Sequence, residues 1–391
     1  MAHLHIDSMN LSDTSRFFLV YPLHLEDLGL LELQEKYKLF LGEASFVIIA
    51  QIPGGIEIEC PLWAGLLLNR ILRTPTRILL RLTEFKCRDF PKLFQKISKF
   101  PWSPWMIGQV PEVEVASKNS RLFDSRKIEK AIQDGVAKYY IHQPAKKKYL
   151  EYFAKNKNIA FPKIYFRSVD DICTLSLDTT GDRLHLRGEK TYTGLAPIRE
   201  NLAALLLLEL RTHLNETEVT LIDPMCGSGT FLIEAKKTYD ITLNRDFSFL
   251  HLPIVMDSRG ELPTLGPITQ TTFPRRVGLE INSEIVELAK KNDPNIDFYQ
   301  EDLFSKAKHN YSNPVVIINP PYGIRVGENI NLSYYLNVIE NIKRKFSPNL
   351  MGIIIPDTFK LKSCATFSIL NARSFKNGGI EVTFYVLKFL N

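Results

Sequence analysis

The sequence predicts an α/β protein: a doubly wound sheet finished by an antiparallel C-terminal hairpin, with an α+β module in front of it. Three observations carry this. Beyond residue 197, short apolar strand-like runs alternate with helical stretches, the rhythm of a parallel sheet with crossover helices. Before residue 170 the order of strands and helices is irregular, as in α+β folds. Near the end, Asn377-Gly378-Gly379 separates Phe375 from the apolar run 380–386, a hairpin signal.

Residues 1–15 are polar and are expected to form a flexible tail. Residues 17–20 read as a short strand, and 25–37 as a helix with Leu28, Leu31 and Leu33 on its apolar side. Pro53-Gly54-Gly55 between apolar runs at 46–50 and 56–58 marks a hairpin. A helix follows at 61–72, with Trp63, Leu66, Leu67 and Ile71 inward. Residues 77–85 alternate as a strand, and 89–99 form a helix through Leu93, Phe94 and Ile97. Val113 and Val115 alternate with Glu112 and Glu114 in a strand at 110–117. A helix at 124–140 points Ile128, Ile132, Val136 and Tyr139 inward, and 169–178 is a strand. In the second half, helices are expected at 197–211, 230–237, 283–291 and 333–346, and strands at 219–222, 276–279, 296–299, 315–318 and 351–355. Residues 240–274 are a proline-containing irregular insertion.

Composition narrows the class. With 45% apolar and 24% charged residues the chain is ordinary globular protein. No 18-residue apolar run is present, so no membrane helix is expected. The N-terminus lacks a basic and apolar leader, and five scattered cysteines show neither zinc nor disulfide spacing, which points to a reducing cytoplasm and to no metal. Charge is segregated: residues 61–167 carry 22 basic and 8 acidic side chains, a net +14, interleaved with aromatics such as Phe94, Trp102, Phe123 and Tyr140. A segment that basic is an electrostatic footprint for a phosphate backbone.

Two motifs carry chemistry. Val315-Val316-Ile317-Ile318 is a buried-strand signal that stops at Asn319-Pro320-Pro321-Tyr322. The prolines end the strand and rigidify the corner. It falls at a strand's carboxyl end, where open α/β sheets bind ligands. An amide acceptor (Asn319), a carbonyl without a competing amide (Pro320) and an aromatic plate (Tyr322) suit a planar exocyclic amine of a nucleobase. Upstream, residues 219–235 read as strand, Gly-rich turn and helix around Asp223-Pro224-Met225-Cys226-Gly227-Ser228-Gly229. Leu232 stands where the dinucleotide fingerprint needs a third glycine, and no Gly-Lys-Ser/Thr phosphate loop exists.

Together the motifs resemble the S-adenosylmethionine (SAM) methyltransferases that methylate amines: the 223–230 turn is similar to their methionine-binding motif and Asn319-Pro320-Pro321-Tyr322 to their catalytic one. The segment 175–188, with Asp178, Thr179, Thr180, Gly181 and Arg187-Gly188, and the following Ala196-Pro197-Ile198-Arg199-Glu200-Asn201 extend the likeness to the THUMP-domain RNA guanine-N2 methyltransferases. That group includes the N-terminal half of the bacterial fused large-subunit rRNA methyltransferase. The fused enzyme's second methyltransferase domain is not expected in a chain ending at Asn391.

The resemblance implies a Rossmann-like SAM methyltransferase domain at 185–391. A ferredoxin-like plus THUMP RNA-binding module would occupy 16–180, with the THUMP part at about 46–168, and the loop 117–125 would precede an RNA-facing helix. It implies SAM contacts from Asp223, Pro224, Cys226, Gly227 and Gly229. Glu280 would accept from the ribose hydroxyls, Asp302 from the adenine amine, and Arg199 and Glu200 would cover the cofactor. Glu280 follows Gly229 by 51 positions, against about 20 in dinucleotide folds; the insertion 240–274 accounts for the excess. Asn319, Pro320 and Tyr322 would hold the target base. The expected reaction is methylation of guanine N2 in 23S rRNA. The motif equally serves tRNA guanine N2 or adenine N6, and a non-catalytic RNA-binding assembly factor is the reading from another class.

Overall fold

The computed structural model describes residues 10–42, 45–156, 159, 161–187, 198–216, 218–258, 262–268, 271–322 and 330–390. The chain divides into two compact units, neither of them continuous in sequence. The first comprises Met1–Val20, Glu35–Leu184 and Ile241–Gly266; the second comprises Tyr21–Gln34, His185–Asp240 and Pro267–Asn391. Of the expected tail, residues 1–9 lie outside the described residues, as do Gly188, Ala196 and Pro197. Residues 10–15 are built into the fold: Leu11 is buried, and the Leu11 and Asp13 carbonyls accept from the amides of Trp63 and Leu62.

The first unit is organised on one sheet of β1 (Thr14–Val20), β2 (Val47–Ile52), β3 (Gly55–Pro61), β4 (Arg77–Lys86), β5 (Val113–Lys118), β6 (Ile164–Val169) and β7 (Ile172–Asp178), in the order β2-β3-β1-β4-β7-β6-β5. Only β5 and β6 pair in parallel. Strict alternation builds its core: Phe17, Leu19, Ile56, Ile58, Ile78, Leu80, Ile164, Phe166, Leu175 and Leu177 all turn to one face and are buried. Helix α2 (Leu62–Ile71) lies on that face so closely that a side chain at Gly65 would run into the Phe17 ring. The first unit also holds α3 (Phe90–Lys99), α4 (Ser125–His142) and α5 (Lys147–Lys155), while α1 (Glu26–Leu41) is divided between the two units after Gln34. Asp89 and Asp124 cap α3 and α4 by accepting from Lys92 and Lys127 amides.

Two elements depart from the sequence reading. The strand expected at 169–178 is β7, and it is preceded by a strand that the sequence reading does not mark, β6, the two being joined by Asp170 and Asp171 at φ 50° and 67°. Two consecutive positive φ angles make a tight hairpin. Helix α5 occupies a stretch that reads as a lysine run, yet Tyr149 is buried.

The insertion is also partly regular. It carries a 3-10 turn (Ser248–His251) and α8 (Pro253–Asp257), both within the first unit. Asp257 receives Lys146, Lys148 and Tyr149.

The second unit is a three-layer sandwich. Its sheet contains β8 (Thr220–Asp223), β9 (Arg275–Glu280), β10 (Asp297–Gln300), β11 (Pro314–Ile318), β12 (Leu350–Pro356), β13 (Phe367–Asn377) and β14 (Ile380–Phe389), in the order β10-β9-β8-β11-β12-β14-β13. Strands β8 to β12 are parallel; β14 pairs antiparallel with both β12 and β13. Alternation along β11 splits its residues between two cores. Val315 and Ile317 join Leu206 of α6 (Glu200–Thr212) and Phe231 of α7 (Thr230–Lys236). Val316 and Ile318 join Tyr335, Val338 and Ile342 of α10 (Leu332–Phe346). Helix α9 (Ser283–Asn292) starts at Asn282, whose side chain accepts from the amides of Glu284 and Ile285. Strand order reverses around β8, which pairs with β9 on one side and β11 on the other. The carboxyl ends of these three strands therefore define the crevice where such sheets bind ligands.

Candidate functional site

The site begins at the end of β8. Asp223 closes the strand, 2% exposed, and its Oδ1 accepts from the Met225 amide at 3.2 Å. Burial pushes its carboxyl up to about 8, and the nearby Glu280 carboxylate adds to the shift. It does not cap α7: that place belongs to Gly229, at φ 86°. A side chain at Gly229 would meet the Phe298 ring at 2.8 Å, so both conformation and space require glycine. Gly227, at φ 52°, faces open space; there the backbone alone sets the requirement and leaves room for a ligand to approach.

Glu280, at the end of β9, ties this turn down. Its Oε2 accepts from the Gly227 amide at 3.1 Å and its Oε1 from the Asn282 amide at 3.0 Å. The Cys226 amide donates to the Leu279 carbonyl at 2.9 Å, and the Asn292 side chain donates to the Ser228 carbonyl. Cys226 is buried, and burial together with the two carboxylates holds its thiol well above the ordinary range. Its Sγ packs against Gly278, where a side chain would crowd it at 2.9 Å. Two carboxylates beside an open Gly-rich turn form a site short of positive charge. A ligand bearing an ammonium and a sulfonium fits it, because a cation there restores the ionised state that burial disfavours in Asp223.

The other expected contacts lie elsewhere in the same unit. Asp302 follows β10; its Oδ1 accepts from the Phe304 amide in a turn, and its carbonyl accepts from the buried Lys345 ammonium. Arg199 is exposed and stands at the N-terminal end of α6, where its carbonyl accepts from the Ala203 amide; Glu200 begins the helix. Pro224 is buried within the turn.

At the end of β11, next to β8, lies the proline corner. Pro320 is buried, and no described residue donates to its carbonyl. Asn319 Oδ1 accepts from the Tyr322 hydroxyl at 2.5 Å, which in turn accepts from the Asn377 side chain at 3.0 Å. Tyr322 packs against the core, and burial raises its hydroxyl to about 12, so it stays a neutral donor. The Tyr335 hydroxyl donates to the Pro321 carbonyl at 3.2 Å and braces the corner from α10. Tyr322 thus caps the acceptor that the sequence assigns to a target amine, instead of standing free as a stacking plate. Asn377 had no functional signal in the sequence, where Asn-Gly-Gly reads only as a turn. Phe298, the floor beneath Gly229, was equally silent, being one apolar residue in a strand.

A doubly wound sheet with an acidic, Gly-rich turn at its switch point and an Asn-Pro-Pro-Tyr corner on the adjacent strand defines a methyltransferase domain. Residues 187–385, just over half of the chain, match the RMKL-like methyltransferase domain family (UPF0020), and the chain belongs to that family. It is 26% identical over 359 residues to the ribosomal RNA large subunit methyltransferase K/L of Colwellia psychrerythraea, covering 85% of this chain and 48% of that protein. The protein of the same description from Psychromonas ingrahamii is 28% identical over 356 residues, covering 85% and 45%. The chain thus spans about half the length of these curated relatives. Among solved structures, SMU.472, described as a methyltransferase complexed with SAH, aligns with a TM-score of 0.73 at 25% identity, covering 97% of this chain and 99% of that one. Among the described residues no His/Cys/Asp/Glu cluster has the makings of a metal site, and no helix is long and apolar enough to cross a membrane.

Proposed function

We propose that this protein transfers a methyl group from SAM to the exocyclic N2 amine of a guanine in large-subunit ribosomal RNA. SAM is the methyl donor; when bound, its sulfonium supplies an electrophilic methyl that needs no metal activation. The observation that carries the reading is the juxtaposition of Asn319 and Pro320, at the end of β11, with Asp223, at the end of the neighbouring β8. The ribosomal RNA methyltransferases of similar sequence support the substrate class, and the net +14 of residues 61–167 supports RNA as the partner. In this reading residues 16–180, most of which lie in the first unit, are the ferredoxin-like plus THUMP RNA-binding module.

The chain's own residues do little acid–base work. Asp223 takes the donor's ammonium, Glu280 its ribose, Asp302 its adenine amine, and the 225–229 backbone lets the methionine end run close. Asn319 Oδ1 and the Pro320 carbonyl accept from the two N–H bonds of the target amine. This returns lone-pair density to nitrogen and aims it along the line of transfer, so positioning and electrostatics supply the rate. Tyr322 must release Asn319 when the base enters, and its ring is then available to stack. A paired base cannot reach such a corner and must be unpaired or flipped out.

The test is transfer of tritiated methyl from SAM to total RNA of a strain lacking the gene, followed by size fractionation and nucleoside mass spectrometry. Label in 23S RNA as N2-methylguanosine supports the proposal. Label in tRNA, or as N6-methyladenosine, keeps the chemistry and overturns the substrate. Bound SAM without transfer to any RNA overturns the enzymatic reading in favour of an assembly factor.

A further inference from the structure

The sheet of the first unit has a second face. Opposite the apolar core, Phe18, Leu79, Arg77, Arg81, Tyr165 and Arg167 line a half-open hollow of about 350 Å³. All of these come from strands β1, β4 and β6, joined by Glu114 of β5, and among the described residues no helical residue lines the hollow. A solvent-facing sheet surface is normally polar; this lining combines apolar and aromatic side chains with three arginines. The Arg81 guanidinium lies 4.3 Å from the Phe18 ring centre and is held by Glu57 at 3.1 Å and by Ser176. Arg77 sits 5.6 Å from the Tyr165 ring centre and is held by Asp178 and the Gly181 carbonyl. These planar cations are positioned before any ligand arrives. Arg167 is exposed and has no ion-pair partner among the described residues.

We propose that this hollow binds one unpaired nucleotide of the RNA substrate, away from the catalytic corner. Rings and guanidinium planes are what an unstacked base seeks, Arg167 is available to a phosphate, and Glu114 offers an acceptor to a base amine. The volume is at the small end of ligand pockets and suits a single nucleotide rather than a duplex. The segment 61–167, which supplies β4, β5 and most of β6, is the one with net +14, so the charge complements RNA. The inference rests on the RNA-substrate reading above and adds a location to it.

The experiment measures binding of fluorescein-labelled ten-nucleotide single-stranded RNAs of each base to the full chain, by anisotropy at fixed salt. The variants are Arg167→Ala, Tyr165→Leu, which keeps apolar bulk, and Lys99→Ala, an exposed lysine elsewhere in the unit that calibrates the loss of one charge. Arg167→Ala and Tyr165→Leu are expected to weaken binding roughly tenfold, the scale of one base stack, and Lys99→Ala much less. Glu114→Gln is expected to change the order of preference among the four bases. Equal losses for Arg167→Ala and Lys99→Ala, with none for Tyr165→Leu, overturn the proposal. Competition by millimolar GMP or AMP as effective as by the oligomer also overturns it, in favour of a free nucleotide. Methyl transfer is followed in parallel: a wild type that methylates RNA while the variants bind normally refutes the hollow alone. A wild type that binds no RNA refutes the substrate reading and the hollow with it.

Discussion

Asp223 makes a quantitative commitment. Its free carboxyl titrates near 4, whereas in the folded chain burial moves it to about 8. The folded state holds that proton more tightly, so Asp223 contributes most below pH 4 and its contribution falls as pH rises towards 8. Asp223→Asn is therefore expected to raise the melting temperature of the cofactor-free protein at pH 7 and to flatten its pH profile between 4 and 8. The same substitution should abolish most SAM affinity, a trade between stability and function. Below pH 8, binding of the cationic donor should release a proton from Asp223; calorimetry in buffers of different ionisation enthalpy will detect it in the wild type and not in Asp223→Asn. At the catalytic corner, Asn319→Ala should leave SAM binding intact and lower kcat by about 10²-fold, the scale of a lost transition-state acceptor. Tyr322→Phe removes only the hydroxyl that occupies Asn319. It should lower KM for RNA with little loss of kcat, whereas Tyr322→Ala should lower kcat through loss of the ring. Equal effects of the two would mean that the hydroxyl does not act as a cap.

At the scale of elements, the turn between β8 and α7 is set by glycine in two different ways. Gly229→Ala is expected to destabilise the protein by about 1–3 kcal/mol through its positive φ and the Phe298 ring, measurable by urea denaturation. Gly227→Ala meets no atom but stands at φ 52°, so it should cost about 1 kcal/mol through backbone strain alone and also lower SAM affinity. Much of this region was legible in sequence because its signals are local: four apolar residues and then two prolines leave few options for 315–322, and the 223–229 turn declares itself by its glycines. What stayed hidden depends on contacts distant in sequence. The β6–β7 hairpin turns on Asp170-Asp171, which lacks the glycine that marks most such turns. Helix α5 hid behind Lys146-Lys147-Lys148, since a charge run masks the single buried face at Tyr149. Asn377 reaches Tyr322 across 55 residues, and no spacing rule connects them.

For the whole molecule, charge is the feature that sequence conveys best and structure refines. If RNA is the substrate, the lysines and arginines of 61–167 act collectively, and RNA affinity is expected to fall steeply with salt. A plot of log affinity against log salt should be linear, with a slope of about −0.7 for each phosphate contacted on a single strand. Excising 61–167 is a poor way to test this role. It would remove β4, β5, most of β6 and helices α2 to α5, leaving β1 without one neighbour and β7 without both. Arg167→Glu, at an exposed residue with no ion-pair partner among the described residues, asks the same question of an intact chain.

The discontinuity of the two units has a consequence for how the chain is made and broken. Along its length the polypeptide passes from one unit to the other five times. Translated from the N-terminus, the first unit cannot be completed until Gly266 has left the ribosome, by which point β8 and the Gly-rich turn are already waiting for their partners. Folding therefore cannot proceed as one finished domain followed by another, the usual order for multidomain chains. A protease that cleaves once between Leu184 and His185 would yield two fragments that each hold a piece belonging to the other's core. The nicked protein should run as two bands in denaturing gels and as one species in gel filtration.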